Sequence, residues 1–210
     1  GQARVDKMCI DGQDDGSEAT SLYFSSGNHA LCLTAAHAVG KLISSKDIRL
    51  VDYKLEPSIG MDIAVLKTDP SNINPVPYSH PVSFGEYAKK FRFPEEVKVY
   101  KIGPQTGMTV GILETADFQG ERRVARHMKE TLFGEGTIIY KMLVRIKWQL
   151  ATPVTFIPFA VGGDSGSTIF GIHEGRFYPL GLHCCSAVGE SFAVELDYCL
   201  EAIDKVSLAD

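Results

Sequence analysis

Apolar residues come in short runs along this chain, most of them bounded by Gly, Pro, Asn or Ser. The runs at 20–26 (TSLYFSS), 29–37 (HALCLTAAH), 47–55 (DIRLVDYKL) and 61–68 (MDIAVLKT) are rich in β-branched and aromatic residues. Similar runs stand at 96–103, 108–118, 137–146, 167–172, 176–185 and 190–196. Such runs predict β-strands, because branched and flat side chains pack well on a half-buried pleated surface. The end of the chain departs from this. Leu196, Cys199, Leu200, Ile203 and Val206 recur at helical spacing and predict a terminal helix. The segment 69–95 holds five prolines and reads as a long connection. Many short strands, turn signals between them and one terminal helix predict an all-β sandwich or barrel.

Composition narrows the function more than the fold. The 210 residues carry a net charge of −5, which gives no support to nucleic acid or an anionic membrane as partner. The basic cluster at 121–130 (ERRVARHMKE) is interleaved with Glu and reads as a solvated loop or short helix. No apolar stretch is long enough to span a bilayer. The start lacks Met and the apolar core of a signal peptide, so the chain is expected to belong to a longer polypeptide. Five cysteines without C-x-x-C spacing suggest neither a disulfide framework nor a zinc site. Buried thiols in a reducing, intracellular compartment are expected, with no metal and no cofactor.

One stretch concentrates chemistry. FAVGGDSGST (159–168) sets small, turn-prone residues around Ser165. A nucleophilic serine needs a base within hydrogen-bond reach, a carboxylate to orient that base, and backbone N–H groups aimed at the developing oxyanion. His37 ends an apolar run between two alanines, and Asp62 opens another, where an unpaired charge is costly and a polar partner is required. Glycine at 163 suits the tight backbone that an oxyanion hole demands.

LTAAHAV, MDIAVLKT and GGDSGS stand in the chain order His, Asp, Ser, and in this the sequence resembles the chymotrypsin-like serine endopeptidases. VYKIGPQTGMTVGIL (99–113) resembles the entry to that family's second barrel. The resemblance implies two packed six-stranded antiparallel β-barrels with a C-terminal helix and an active site between them. The first barrel and connection would occupy 19–95 and the second barrel and helix 96–210, with 1–18 an N-terminal extension. It further implies that His37 is general base and acid, that Asp62 orients it, and that Ser165 is the nucleophile, with the Gly163 and Ser165 amides as oxyanion hole. The substrate would be a polypeptide, hydrolysed through an acyl-enzyme, with activity rising through about pH 6.5–7 as the histidine loses its proton.

The departures from the family pattern are informative. Ala38 stands where secreted members carry a cysteine, and no Ile-Val-Gly-Gly start is available to pair with Asp164, whose carboxylate must find other donors, such as backbone amides. His37 and Asp62 are 25 positions apart (62 − 37), a short spacing that resembles intracellular and viral polyprotein-processing members. Viral members often use cysteine as nucleophile, so Ser165 is either native or a replacement. Gly181-Leu182-His183 resembles the strand with which 3C-like and glutamyl endopeptidases recognise a P1 Gln or Glu. Their Thr or Ser five places before the nucleophile is Ala160 here, preceded by Phe159, which leaves an apolar P1 residue as the alternative. A non-catalytic peptide-binding module and an esterase are the competing functions. The charged segment 119–135, inserted between second-barrel strands, is a candidate regulator of access.

Overall fold

The computed structural model describes residues 4–9, 18–26, 29–39, 49–68, 78–90, 96–103, 105–114, 124–131 and 134–203. The first sheet is antiparallel. It comprises β1 (Arg4–Cys9), β2 (Glu18–Ser26), β3 (His29–Thr34), β4 (Arg49–Glu56) and β5 (Met61–Thr68), in the order β1-β2-β3-β5-β4. These five described strands are one fewer than the six expected. The segment taken as an N-terminal extension supplies β1, which pairs with β2 from Arg4 opposite Tyr23 to Cys9 opposite Glu18. Short 3-10 turns follow two of the strands, Ala36–Ala38 after β3 and Pro57–Ile59 after β4.

The second unit closes on itself. β6 (Lys98–Gly103), β7 (Gly107–Leu113), β10 (Val144–Thr152), β14 (Glu190–Glu195), β13 (Arg176–Ala187) and β12 (Thr168–His173) are each paired with the next, and β12 pairs back with β6. A closed ring gives each of its strands a neighbour on both sides over at least part of its length. β11 (Thr155–Ile157) attaches outside it as a hairpin on β10. β8 (Val124–Thr131) and β9 (Gly134–Tyr140) form a separate hairpin inserted before β10.

Three readings are corrected. The basic cluster is neither loop nor helix: most of it is β8, whose partner strand β9 starts three residues after it ends. The single run at 137–146 is two strands, separated at Lys141–Leu143 where the chain leaves the hairpin and enters the barrel. The connection contains a helix, α1 (Phe84–Lys90). It begins with a capping signal in Ser83-x-x-Glu86, in which Ser83 Oγ accepts the Glu86 N–H at 3.0 Å. It buries Phe84, Tyr87 and Ala88, one face at helical spacing.

The predicted terminal helix is α2 (Leu196–Ala202); Val206 lies outside the described residues. It packs on β5, β13 and β14 and so touches both units. One apolar cluster is likewise shared. Leu31, Leu33, Ile63 and Val65 of the first sheet meet Tyr140, Phe170, Leu182, Val194, Leu196 and Cys199. A second cluster fills the closed barrel around Val99, Ile146, Phe159 and Leu180, sealed by Phe84 and Tyr87 of α1.

Candidate active site

His37 sits in the 3-10 turn after β3, and Asp62 is the second residue of β5. Because β3 and β5 pair with Thr34 opposite Ala64, the turn is carried over the start of β5. Both side chains are buried, Asp62 completely. Asp62 Oδ2 accepts from His37 Nδ1, and Oδ1 accepts the His37 backbone N–H at 3.0 Å. An ionised carboxylate only accepts, so Nδ1 carries the proton and Nε2 is the basic nitrogen of the neutral ring. Burial works to raise the Asp62 pKa; the adjacent His37 and the donors around the carboxylate overcome this and hold it below the ordinary value. A residue not singled out in the sequence completes this group. Tyr140, fully buried at the end of β9, donates its hydroxyl to Asp62 Oδ2, and its Oη lies 3.2 Å from His37 Nδ1.

Ser165 lies in the second of two consecutive tight turns that share Asp164. Asp164 N–H donates to Val161 O at 3.1 Å, closing one turn with Gly163 at its third place with φ +95°. Ser167 N–H donates to Asp164 O at 3.1 Å, closing the next with Gly166 at φ +81°. Positive φ at those places is what glycine alone adopts without strain. Gly166 also needs to be glycine for space: a β-carbon there would overlap Thr34 Oγ1 and lie 2.8 Å from Ala35 N. The Ser165 loop is thus pressed against the end of β3, directly before His37. Its other side is bonded to β13, with Gly166 N–H donating to His183 O at 2.8 Å and His183 N–H to Ser167 O at 2.9 Å. Among the described residues, no backbone or side-chain acceptor engages the Gly163 or Ser165 amides.

Asp164 was expected to satisfy its carboxylate on backbone donors. Two are present, Gln105 N–H at 3.0 Å and Val161 N–H at 3.1 Å, and Thr106 Oγ1 donates at 2.8 Å. The charge itself is balanced by Lys101 of β6, whose Nζ is 3.2 Å from Oδ2 with both side chains fully buried. Burial opposes ionisation of Asp164, but Lys101 and these donors hold its pKa below the ordinary value. Lys101 Nζ also donates to Thr106 Oγ1 at 2.7 Å and lies 5.6 Å from the centre of the Phe159 ring. An ammonium on the chain itself therefore meets Asp164. The lysine in VYKIG was the available signal, and its burial was not visible there.

His183 is buried on β13, and its Nε2 is 3.0 Å from Ser186 Oγ. Ser186 Oγ is 2.8 Å from Ser191 Oγ, which accepts the Trp148 Nε1–H at 2.8 Å. A chain of polar side chains from β13, β14 and β10 thus backs the histidine. Phe159 and Ala160 are fully buried in the second-barrel cluster. Gly181 is pressed on Phe84 of α1 and the Val194 carbonyl, so no side chain fits there. Cys32, Cys184, Cys185 and Cys199 are buried thiols. Among the described residues, no group of three or more His, Cys, Asp or Glu is arranged to hold a metal ion, and no helix is long and apolar enough to cross a membrane.

No protein-family model matches this chain, nor does any curated protein sequence. Solved structures do. A glutamic-acid-specific serine protease that uses a histidine triad in substrate binding is 16% identical, with a TM-score of 0.52 over 89% of this chain and 91% of that one. Nocardiopsis protease is 14% identical, with a TM-score of 0.51 over 89% of this chain and 90% of that one. Identity at this level speaks for fold: the chain has the chymotrypsin-like double-barrel architecture, with a buried His–Asp pair where the two units meet.

Proposed function

We propose that this protein is a serine endopeptidase. Ser165 attacks the scissile carbonyl while His37 Nε2 takes its proton; Asp62 holds the ring and balances the imidazolium; the Gly163 and Ser165 amides receive the oxyanion. His37 then protonates the leaving amine and activates water for deacylation. The carrying observation is the buried His37–Asp62 pair, next to which the nucleophile turn is packed by Gly166 against Thr34 and Ala35. Two further features support it. Both turns around Ser165 have glycine at the positive-φ place, and Asp164 is fixed by a full set of donors, so the amides are pre-organised rather than recruited.

The substrate we assign is a polypeptide with Gln or Glu at P1, read by His183. In support, β13 pairs with β12 only as far as Leu182 but with β14 out to Ala187, which leaves its other edge past the nucleophile turn for an extended peptide. The buried thiols favour a reducing compartment, and processing of a longer polypeptide suits the compact first sheet.

The test is digestion of a diverse peptide library by this chain and by Ser165→Ala. Cleavage by the parent after Gln or Glu, with at least about a thousandfold loss in the variant, is the expected result. Equal cleavage by both would remove Ser165 from the mechanism, and cleavage after apolar residues would remove His183 from the specificity.

A further inference from the structure

The β8–β9 hairpin is a separate two-stranded ribbon joined to neither sheet by strand pairing, yet its last residue reaches the buried centre of the site. Lys141 N–H donates to Pro57 O at 3.2 Å, in the turn that leads into β5. Gly60, at φ +74°, lies so close to Met142 that a β-carbon there would overlap the Met142 carbonyl oxygen. β8 runs beside the Ala36–Ala38 turn, and β9 beside Pro57–Ile59. The base of the hairpin is thereby docked on the turn that carries His37 and on the turn that leads into β5 and Asp62. Tyr140, directly before Lys141, is held with its hydroxyl on Asp62.

We propose that Tyr140 is a positioning residue for catalysis: docked through the hairpin base, its hydroxyl fixes the Asp62 carboxylate and tunes the basicity of His37. This rests on the assignment of His37 and Asp62 as base and orienting acid. A phenol donating to Oδ2 draws charge from the oxygen that also receives His37 Nδ1–H, so it weakens the carboxylate's pull on an imidazolium. The same hydroxyl, beside Nδ1, adds a second acceptor that keeps the proton on that nitrogen. The ring is left in the tautomer a base requires, and its affinity for a proton is moderated. Among the described residues, the other titratable groups that act on this cluster are the thiols of Cys184 on β13 and Cys199 on α2. Burial raises both, Cys199 to about 12; the Asp62 charge adds to the effect at Cys184, while at Cys199 a hydrogen bond to the Asp62 backbone works against it, so neither ionises in the working range. β8 also carries Arg126, His127, Lys129 and Glu130.

The experiment combines Tyr140→Phe with an NMR titration of the His37 ring and with kcat and KM as functions of pH, and Asp62→Asn is run alongside. In Tyr140→Phe the His37 midpoint is expected to rise by about half a unit or more, and the acid limb of kcat/KM to move with it. kcat should fall on the order of tenfold with KM within about twofold, the size of one lost hydrogen bond expressed in the transition state. Tyr140→3-fluorotyrosine keeps the hydroxyl and makes it more acidic; it should lower the midpoint, and it tests the idea even where Phe fails to fold. An unmoved His37 midpoint in a folded variant would overturn the proposal. A midpoint that moves as expected, in a protein where neither Asp62→Asn nor Ser165→Ala alters cleavage, would uphold Tyr140's hold on the pair and overturn the peptidase reading instead.

Discussion

Lys101 and Asp164 share one buried cage, and the two charges are not equally well served by it. The carboxylate takes the ammonium, one hydroxyl and two amides, whereas the ammonium has the carboxylate and the same hydroxyl. Removing the cation alone strands a buried anion beside Ser165. Lys101→Met is therefore expected to lower stability by about 3–5 kcal/mol, read by urea denaturation, and to abolish cleavage. Lys101→Met with Asp164→Asn should regain part of that stability, because no uncompensated charge remains. A double variant no more stable than the single would show that the cage acts through packing. The pairing of His37 with Asp62 was legible from residue type and local context, since each is polar where its neighbours are apolar or small. Lys101 and Tyr140 were not, because each sits in a strand run where a long amphipathic side chain is ordinary.

At the scale of elements, strand periods were readable wherever one face of the strand is buried. β5 was delimited to the residue, Met61–Thr68, because a turn with glycine precedes it and Asp-Pro follows it. β9 and β10 were fused because Lys141-Met142-Leu143 carries no glycine or proline to mark the break. α1 was hidden by brevity: seven residues make too little periodicity, although its Ser83-x-x-Glu86 cap was present. That cap can be weighed. Ser83→Ala is expected to cost about 0.5–1 kcal/mol and to lower Tm by about 2–4 °C, with kcat/KM nearly unchanged. A large loss of activity from Ser83→Ala would mean that α1 does more than seal the second barrel.

Across the molecule, the buried acids set the response to pH. Asp62 and Asp164 have folded pKa values below the unfolded one, so the stability they contribute is present above about pH 4 and is lost as pH falls through their folded values. Glu195 and Asp197 are raised, chiefly by burial, so protonating them as pH falls toward their unfolded values is stabilising. Thermal melts from pH 7.5 to 2.5 should thus show Tm level or slightly rising down to about pH 4–5, then a steep fall. A Tm that declines steadily from neutral pH would contradict this balance.

The sequence by itself determined the β class, the strand-rich order ending in a helix, and the identity of the polar residues set against apolar runs. Each of those follows from local period and from the cost of burying an unpaired charge. Tertiary structure alone decided what those charges meet. His37 and Asp62 become a pair because β3 and β5 are neighbours in the sheet; the Ser165 turn comes beside them because Gly166 admits Thr34 and Ala35; Asp164 meets a cation because β6 closes the second barrel against β12. Tyr140 lies 78 positions from Asp62 and reaches it only through the docking of the hairpin base. Contacts at such separations leave no periodic trace in the chain, because they depend on how the elements pack and not on the spacing within any one of them.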